Sequence, residues 1–457
     1  MKVKIIVNNR YSRIEGGFPF NEVDRVTSFT IPGSWFSTAR KGGYWDGKRH
    51  LFKRGSNTFP TGLLSRVRNV LELNKVEYTI VDKRICPVTK FKDYHIEGFE
   101  LWEHQVKAIE KGLKRGRGIF DMSTASGKSV IAAALIKAID RPTIIIVHSI
   151  DLLSQMRSYL EKYLSVKIGM IGAGKFELRD ITVATFATLW SRRNDIKKLY
   201  SYFDILIGDE IHKAGAKTNY YIMMQFRSFY RWGLSGSPLD RGDNRNLMVI
   251  AVTGEPIYSI KSKEMIKRGL SKKTTVELLE VKDIIEGDTW AEVYQRGIVD
   301  NHTRNTMIIR KTQQFLNDDK QVLIFVRNLE HGKTLENMLI KEEISSAFIF
   351  MSGAKGRKLR EETLEKFKGG ELDVVIVTVI WQEGVDLPDL SRVIIASGGK
   401  SKIAAKQKVG RGLRLSAKNK DLRVVDFIDF GNKYLANHSL ARLKIYKSEG
   451  YKIVKGE

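Results

Sequence analysis

The feature that most narrows the fold is a run of short, almost wholly apolar segments alternating with helical stretches from Leu101 onward. Thr143 to Val147, Ile181 to Ala184 and Ile205 to Ile207 carry no charge, and helix-length sequence separates them. A strand apolar on both faces is buried on both, which calls for a parallel sheet covered by helices; a sheet with one wet face would alternate. The same alternation returns after residue 272, with strands at Val322 to Val326, Ala347 to Met351, Val374 to Val377, Val393 to Ala396 and Val424 to Phe427. Residues 1–93 read differently. Short alternating runs, starting with Lys-Val-Lys-Ile-Ile-Val and broken by Gly16-Gly17, Pro32-Gly33 and Gly42-Gly43, predict a small α+β domain. The expected organisation is an N-terminal accessory domain over 1–93 and two parallel-sheet α/β domains over 94–271 and 272–457. Gly254 to Lys273, rich in Lys and Gly, is the expected hinge segment. A chain of 457 residues suits this division, since single cores stop growing beyond about 250–300 residues.

Charge narrows the partner. Lys and Arg number 78 against 52 Asp and Glu, a net +26 scattered along the whole chain. Such an excess implies a polyanion tracked over a long surface rather than a detachable basic tail. No apolar run reaches the ~20 residues that span a bilayer, so nucleic acid is the expected partner and no membrane is. The single cysteine, Cys86, leaves no internal disulfide and no zinc cluster, and predicts a reducing cytoplasm.

The chemistry starts at Ser123-Thr124-Ala125-Ser126-Gly127-Lys128-Ser129, between an apolar strand (Gly118 to Met122) and a helix (Val130 to Ile139). Strand, small-residue loop and helix are the context of a phosphate-binding P-loop. Backbone N–H groups curl around phosphate oxygens, Lys128 reaches the outer phosphates and the Ser129 hydroxyl is a Mg²⁺ ligand. Two positions depart from the general pattern, Met122 and Ala125, where glycine is common. About eighty residues on, Asp209-Glu210-Ile211-His212 follows the apolar strand Ile205 to Ile207, so both carboxylates leave a strand at its C-terminal edge, near the loop. Asp209 is the expected Mg²⁺ ligand and Glu210 the group that orients or deprotonates the attacking water. ATP and Mg²⁺ are therefore the expected cofactors.

Taken in order, these motifs and those that follow resemble the superfamily 2 helicases of the DExH type, over about residues 98–430. The resemblance implies two RecA-like domains and ATP-driven movement on nucleic acid. Leu101-Trp102-Glu103-His104-Gln105 looks like the adenine-reading segment, in which Gln105 hydrogen-bonds the base; Trp102 replaces a frequent arginine. Segments 147–155 and 185–189 resemble those that grip the strand backbone, with Thr185 and Thr188 as contacts in the first domain and Arg327 and Thr378 in the second. Gly233-Leu234-Ser235-Gly236-Ser237-Pro238 looks like the motif that couples hydrolysis to strand movement. Residues 378–388 and 407–414 are similar to motifs V and VI. By that resemblance Gly384 and Asp386 support the nucleotide, Gln407 contacts the γ-phosphate or attacking water, and Arg411 and Arg414 act as arginine fingers. A guanidinium suits that role because the phosphoryl transition state spreads charge over its oxygens.

A narrower resemblance involves Gly43-Tyr44-Trp45-Asp46-Gly47-Lys48-Arg49 and Phe59-Pro60-Thr61-Gly62-Leu63, which look like the accessory domain of UvsW-type phage helicases. It implies a DNA helicase that unwinds and branch-migrates forks and Holliday junctions, 3′ to 5′, alongside other recombination or replication proteins. Arg40, Lys41, Lys48, Arg49, Lys53 and Arg54 would engage the DNA, while Tyr44 and Trp45 are expected to fill a small core. An RNA helicase, a duplex translocase that remodels without unwinding, and a binding module with a decayed ATP site are the competing readings.

Overall fold

The computed structural model describes residues 2–88, 90–349, 353–378, 387, 389–400, 409–410, 412–413 and 420–456. By internal contacts the chain forms two compact units, Met1–Met122 with Gly127–Ile260, and Lys261–Glu457 with the loop Ser123–Ser126.

In the first unit an eight-stranded sheet has the spatial order Lys175–Glu177, Gly169–Gly172, Ile181–Thr185, Thr143–Val147, Ile205–Asp209, Tyr230–Ser235, Arg117–Met122 and Pro256–Ile260. Every pairing is parallel except that of the outermost strand, Lys175–Glu177. The central strands are buried residue by residue, and so is most of the helix Lys128–Ile139 that covers them. That is the expectation from their two-sided apolar character. The predicted hinge is more ordered than expected. Pro256–Ile260 is an edge strand paired with Arg117–Met122, and Ser262–Lys267 is a helix.

A second, mixed sheet of four strands, Thr58–Pro60, Tyr11–Glu15, Val3–Val7 and Tyr78–Asp82, belongs to the same unit, with helices Phe20–Val26 and Leu64–Leu73. Its core is continuous with that of the large sheet. Val3, Ile5, Phe59 and Leu63 share one buried cluster with Leu206, Met248 and Ile250. Arg231, 1% exposed, is bound there entirely by backbone carbonyls: Nε to Val252, Nη1 to Phe226 and Nη2 to Met223. Burial, with the Arg10 charge nearby, pushes its pKa down to about 9.

The second unit carries a seven-stranded, wholly parallel sheet, in the order Ser346–Ile349, Val374–Val377, Val322–Phe325, Arg392–Ile395, Asp421–Asp429, Lys273–Val281 and Lys452–Lys455. Two buried ion pairs tie helices to the strand Asp421–Asp429. Arg304 Nε donates to Asp429 at 3.2 Å, and Arg442 donates through Nε and Nη2 to Asp426 at 2.7 and 3.1 Å. The Tyr446 hydroxyl donates to the same Asp426 at 2.6 Å. Although burial opposes it, the Asp426 carboxylate holds the Arg442 guanidinium above its ordinary value. Removing one partner of such a pair leaves a buried charge uncompensated. Asp426→Ala is expected to cost about 3–5 kcal/mol, read as an earlier urea transition of the full chain. An unchanged midpoint would show that the pair contributes nothing net.

Candidate active site

The strand order brings the site together before any side chain is considered. Ile205–Asp209, Tyr230–Ser235 and Arg117–Met122 are neighbours in parallel register, Asp209 opposite Leu234 and Ser235 opposite Asp121. Their C-terminal ends fall within two residues of one another, so Asp209, Ser235 and the start of the loop at Ser123 emerge along one edge, where open α/β sheets bind ligands.

The loop has the backbone of an anion cradle. Ala125 and Gly127 have φ of +68° and +82°, Ser126 N and Oγ both donate to the Ser123 carbonyl, and the helix begins at Lys128. Residues in this conformation turn successive N–H groups inward, and the helix start adds its positive end. Ala125 thus takes the conformation that glycine takes more readily, at a cost of roughly 1–2 kcal/mol. Gly127 is required for a second reason: a Cβ there would sit 2.1 Å from Gln105 Nε2. Lys128 Nζ donates to the Met122 carbonyl at 3.2 Å, and Ser129 is half-buried.

Beside the cradle, Asp209 is 8% exposed. Glu210 adopts φ +45°, a conformation uncommon outside glycine, found where surrounding structure over-determines the backbone. Its Oε2 accepts from the Ser235 hydroxyl at 3.0 Å, and His212 Nδ1 lies 3.3 Å from that oxygen and 3.2 Å from Ser235 Oγ. Ser235 Oγ also accepts from Ser237 N, and Arg241 Nη1 donates to the His212 carbonyl. Burial works against the charge on Glu210. The His212 hydrogen bond, the Lys128 ammonium and the Ser235 hydroxyl outweigh it and hold the carboxyl well below the usual carboxylate range. An ionised, oriented carboxylate beside a phosphate cradle is the equipment for activating water. Ser129 and Asp209 supply hard oxygen donors of the kind Mg²⁺ takes.

The remaining predicted residues are placed as follows. Gln105 is 1% exposed; its Oε1 accepts from Trp102 N at 2.9 Å, so it caps its own helix while its amide lies against Gly127. Thr185 caps the helix Phe186–Ser191 and donates to the Thr188 hydroxyl at 2.9 Å. Lys48 is exposed, and Arg49 lies with its guanidinium 5.8 Å from the Tyr220 ring centre. Arg327 is exposed, 5.3 Å over the Tyr294 ring, and Thr378 is buried. Gln407, Arg411, Arg414, Gly384 and Asp386 lie outside the described residues. One expectation is overturned: Tyr44 is 91% exposed and so fills no core. Trp45 is half-buried, its Nε1 donating to the Lys48 carbonyl. Sequence reasoning also missed His212 and Arg241 as parts of the site; only the His of the Asp-Glu-Ile-His run signalled the first.

Residues 90–240 match the type III restriction enzyme res-subunit family, and residues 307–416 match the helicase conserved C-terminal domain. These two helicase matches, with the helicase-named relatives, support an ATP-hydrolysing nucleic-acid helicase of the superfamily 2 DExH type. Within that class the chain resembles the phage helicase UvsW. It is 23% identical over 484 residues to the ATP-dependent DNA helicase uvsW of Enterobacteria phage T4, covering 95% of each chain. It is also 26% identical over 412 residues to the DNA 3′-5′ translocase XPB2 of Sulfurisphaera tokodaii, covering 80% of this chain and 88% of that one. Among solved structures, Dbp5 of S. cerevisiae bound to RNA and ADP BeF3 aligns with a TM-score of 0.56 at 15% identity. The alignment covers 77% of this chain and 89% of that one, a likeness of fold alone. No described helix is long and apolar enough to cross a membrane.

The Glu210 network has a pH signature. Because its folded pKa is depressed, its contribution to stability is complete above the ordinary glutamate value of about 4.3 and is lost as pH falls through the lower folded value. Ser235→Ala combined with His212→Ala leaves burial less opposed, so the Glu210 pKa rises and the acid limb of the ATPase profile moves to higher pH. A limb that stays in place would separate Glu210 from both partners.

Proposed function

We propose that this chain is an ATP-dependent DNA helicase or translocase that unwinds and branch-migrates forked or four-way DNA, moving 3′ to 5′ without sequence specificity. The observation that carries the motor is the linkage of Glu210 through Ser235 and His212 beside the Lys128 loop. It joins the residue expected to act on water to the segment expected to sense strand movement. The names of the uvsW and XPB2 relatives favour DNA, and the net +26 favours a phosphate-dominated interface.

In this reading the loop Ser123, Thr124, Ala125, Ser126 and Gly127 cradles the phosphates, Lys128 neutralises the outer ones and Gln105 supports the adenine. Ser129 and Asp209 would hold Mg²⁺, which would supply neutralisation of charge on the phosphate oxygens. Glu210 orients the attacking water and takes its proton. Gln407, Arg411 and Arg414 stabilise the transferring group, and Gly384 and Asp386 support the nucleotide. Thr185, Thr188, Arg327 and Thr378 hold the strand backbone, with Lys48 and Arg49 engaging DNA from the accessory domain, residues 1–93. The motor domains are 94–271 and 272–457.

The test is ATP hydrolysis at one fixed salt concentration, without nucleic acid and with single-stranded DNA, linear duplex, a four-way junction and RNA. Stimulation greatest with the junction is expected; RNA-selective stimulation would replace DNA by RNA in this reading. Lys128→Ala is expected to abolish turnover while leaving DNA binding within about twofold, because backbone phosphate contacts lie elsewhere. Unchanged hydrolysis would overturn the phosphate-site assignment.

A further inference from the structure

From Arg25 to Arg54 the chain holds seven Lys and Arg and one carboxylate, Asp46. Three large aromatic side chains stand out of this basic stretch: Trp35 is 54% exposed, Phe36 76% and Tyr44 91%. Their loop is ordered by its own hydrogen bonds. Ser34 N donates to the Ile31 carbonyl, Lys41 N to that of Ser37 and Tyr44 N to that of Ala39. Arg40 Nη1 donates to the Ser34 hydroxyl at 2.8 Å, and its guanidinium lies 5.9 Å from the Trp35 ring centre. Close packing behind the loop depends on Gly47, where a Cβ would lie 2.7 Å from Ser34 Oγ and 2.8 Å from Arg40 Nη1. Trp35 and Phe36 meet edge to face at 6.5 Å.

Clustered aromatic surface in water marks an interaction site. The cations around it select a polyanion, and the flat apolar faces select one that has flat apolar faces to offer. Nucleic acid with unstacked bases fits both demands, whereas the interior of a duplex hides its base faces. We propose that Trp35, Phe36 and Tyr44 form a platform for the unpaired bases where single and double strands meet, with Arg40, Lys41 and Lys48 on the flanking phosphates. The proposal rests on the nucleic-acid motor reading above and adds to it a place where the junction is held.

The experiment uses the full chain and forked DNA carrying 2-aminopurine at the unpaired base next to the junction, whose emission falls on stacking. The variants are Trp35→Ala/Phe36→Ala/Tyr44→Ala and the conservative Trp35→Phe/Tyr44→Phe. The wild-type chain is expected to quench the probe. The triple variant should lose the quench and bind the fork about tenfold or more weakly, with a salt slope unchanged, since no cation is removed. Its ATPase at saturating single strand should stay within about twofold of wild type, and the conservative variant should bind like wild type. Equal fork affinity and equal quench in wild type and triple variant would overturn the platform. So would loss of binding to phosphatidylserine vesicles with fork binding intact, which would assign the patch to lipid. If the wild type shows no nucleic-acid stimulation of its ATPase, the motor reading fails, while quench and affinity still report on the platform.

Discussion

Everything at the site depends on parallel strands that are buried on both faces and stop together. The strand Ile205–Asp209 is apolar until its last residue, and Glu210 follows at once. Sliding it one position against Tyr230–Ser235 would draw carboxylates into the layer between helices and sheet, where an unpaired charge costs several kcal/mol. The apolar runs thus fix depth as well as face. Because Asp209, Leu234 and Phe120 sit in matching rows, the residues beyond them come out along one line.

At that line the protein keeps a charge where burial alone would remove it. Glu210 remains ionised because Lys128, His212 and Ser235 converge on it, each from a different segment. The helix start at Lys128, the carboxylate strand and the strand ending at Ser235 therefore share one electrostatic problem and solve it jointly. A change at any of the three is felt at the carboxylate without touching it. Low dielectric strengthens such hydrogen bonds and raises the penalty for losing one.

Much of this was legible in the sequence. Thr143–Val147 and Val374–Val377 form where two-sided apolar runs place them, others differ by a residue or two at their ends, and Val424 to Phe427 is the inner part of the longer strand Asp421–Asp429. The Gly-Lys-Ser run and the Asp-Glu pair are local signals, each carried by residues adjacent in sequence. What escaped were relations between distant residues and the facing of side chains on irregular segments. Nothing in the string 44–45 says that Tyr44 points outward while Trp45 is pinned by the Lys48 carbonyl. Arg304 with Asp429 and Arg442 with Asp426 pair across 125 and 16 residues, and each reads alone as an ordinary surface charge. Gly254 to Lys273 reads as a hinge because it is rich in Lys and Gly, which hides the short edge strand Pro256–Ile260 inside it.

That edge strand has a mechanical consequence. It is the last element of its unit before the chain continues at Lys261, and it pairs directly with Arg117–Met122, the strand whose end becomes the phosphate loop. Ser259 Oγ donates to Asp121 across the pair, one residue before Met122. Tension arriving along the chain at Ile260 is therefore carried by a parallel ladder in shear, where several hydrogen bonds resist together, rather than by a slack tether. The strand that leads into Lys261 thus shares one hydrogen-bonded ladder with the strand that runs into the Ser123–Gly127 loop, so strain in one is felt by its immediate neighbour.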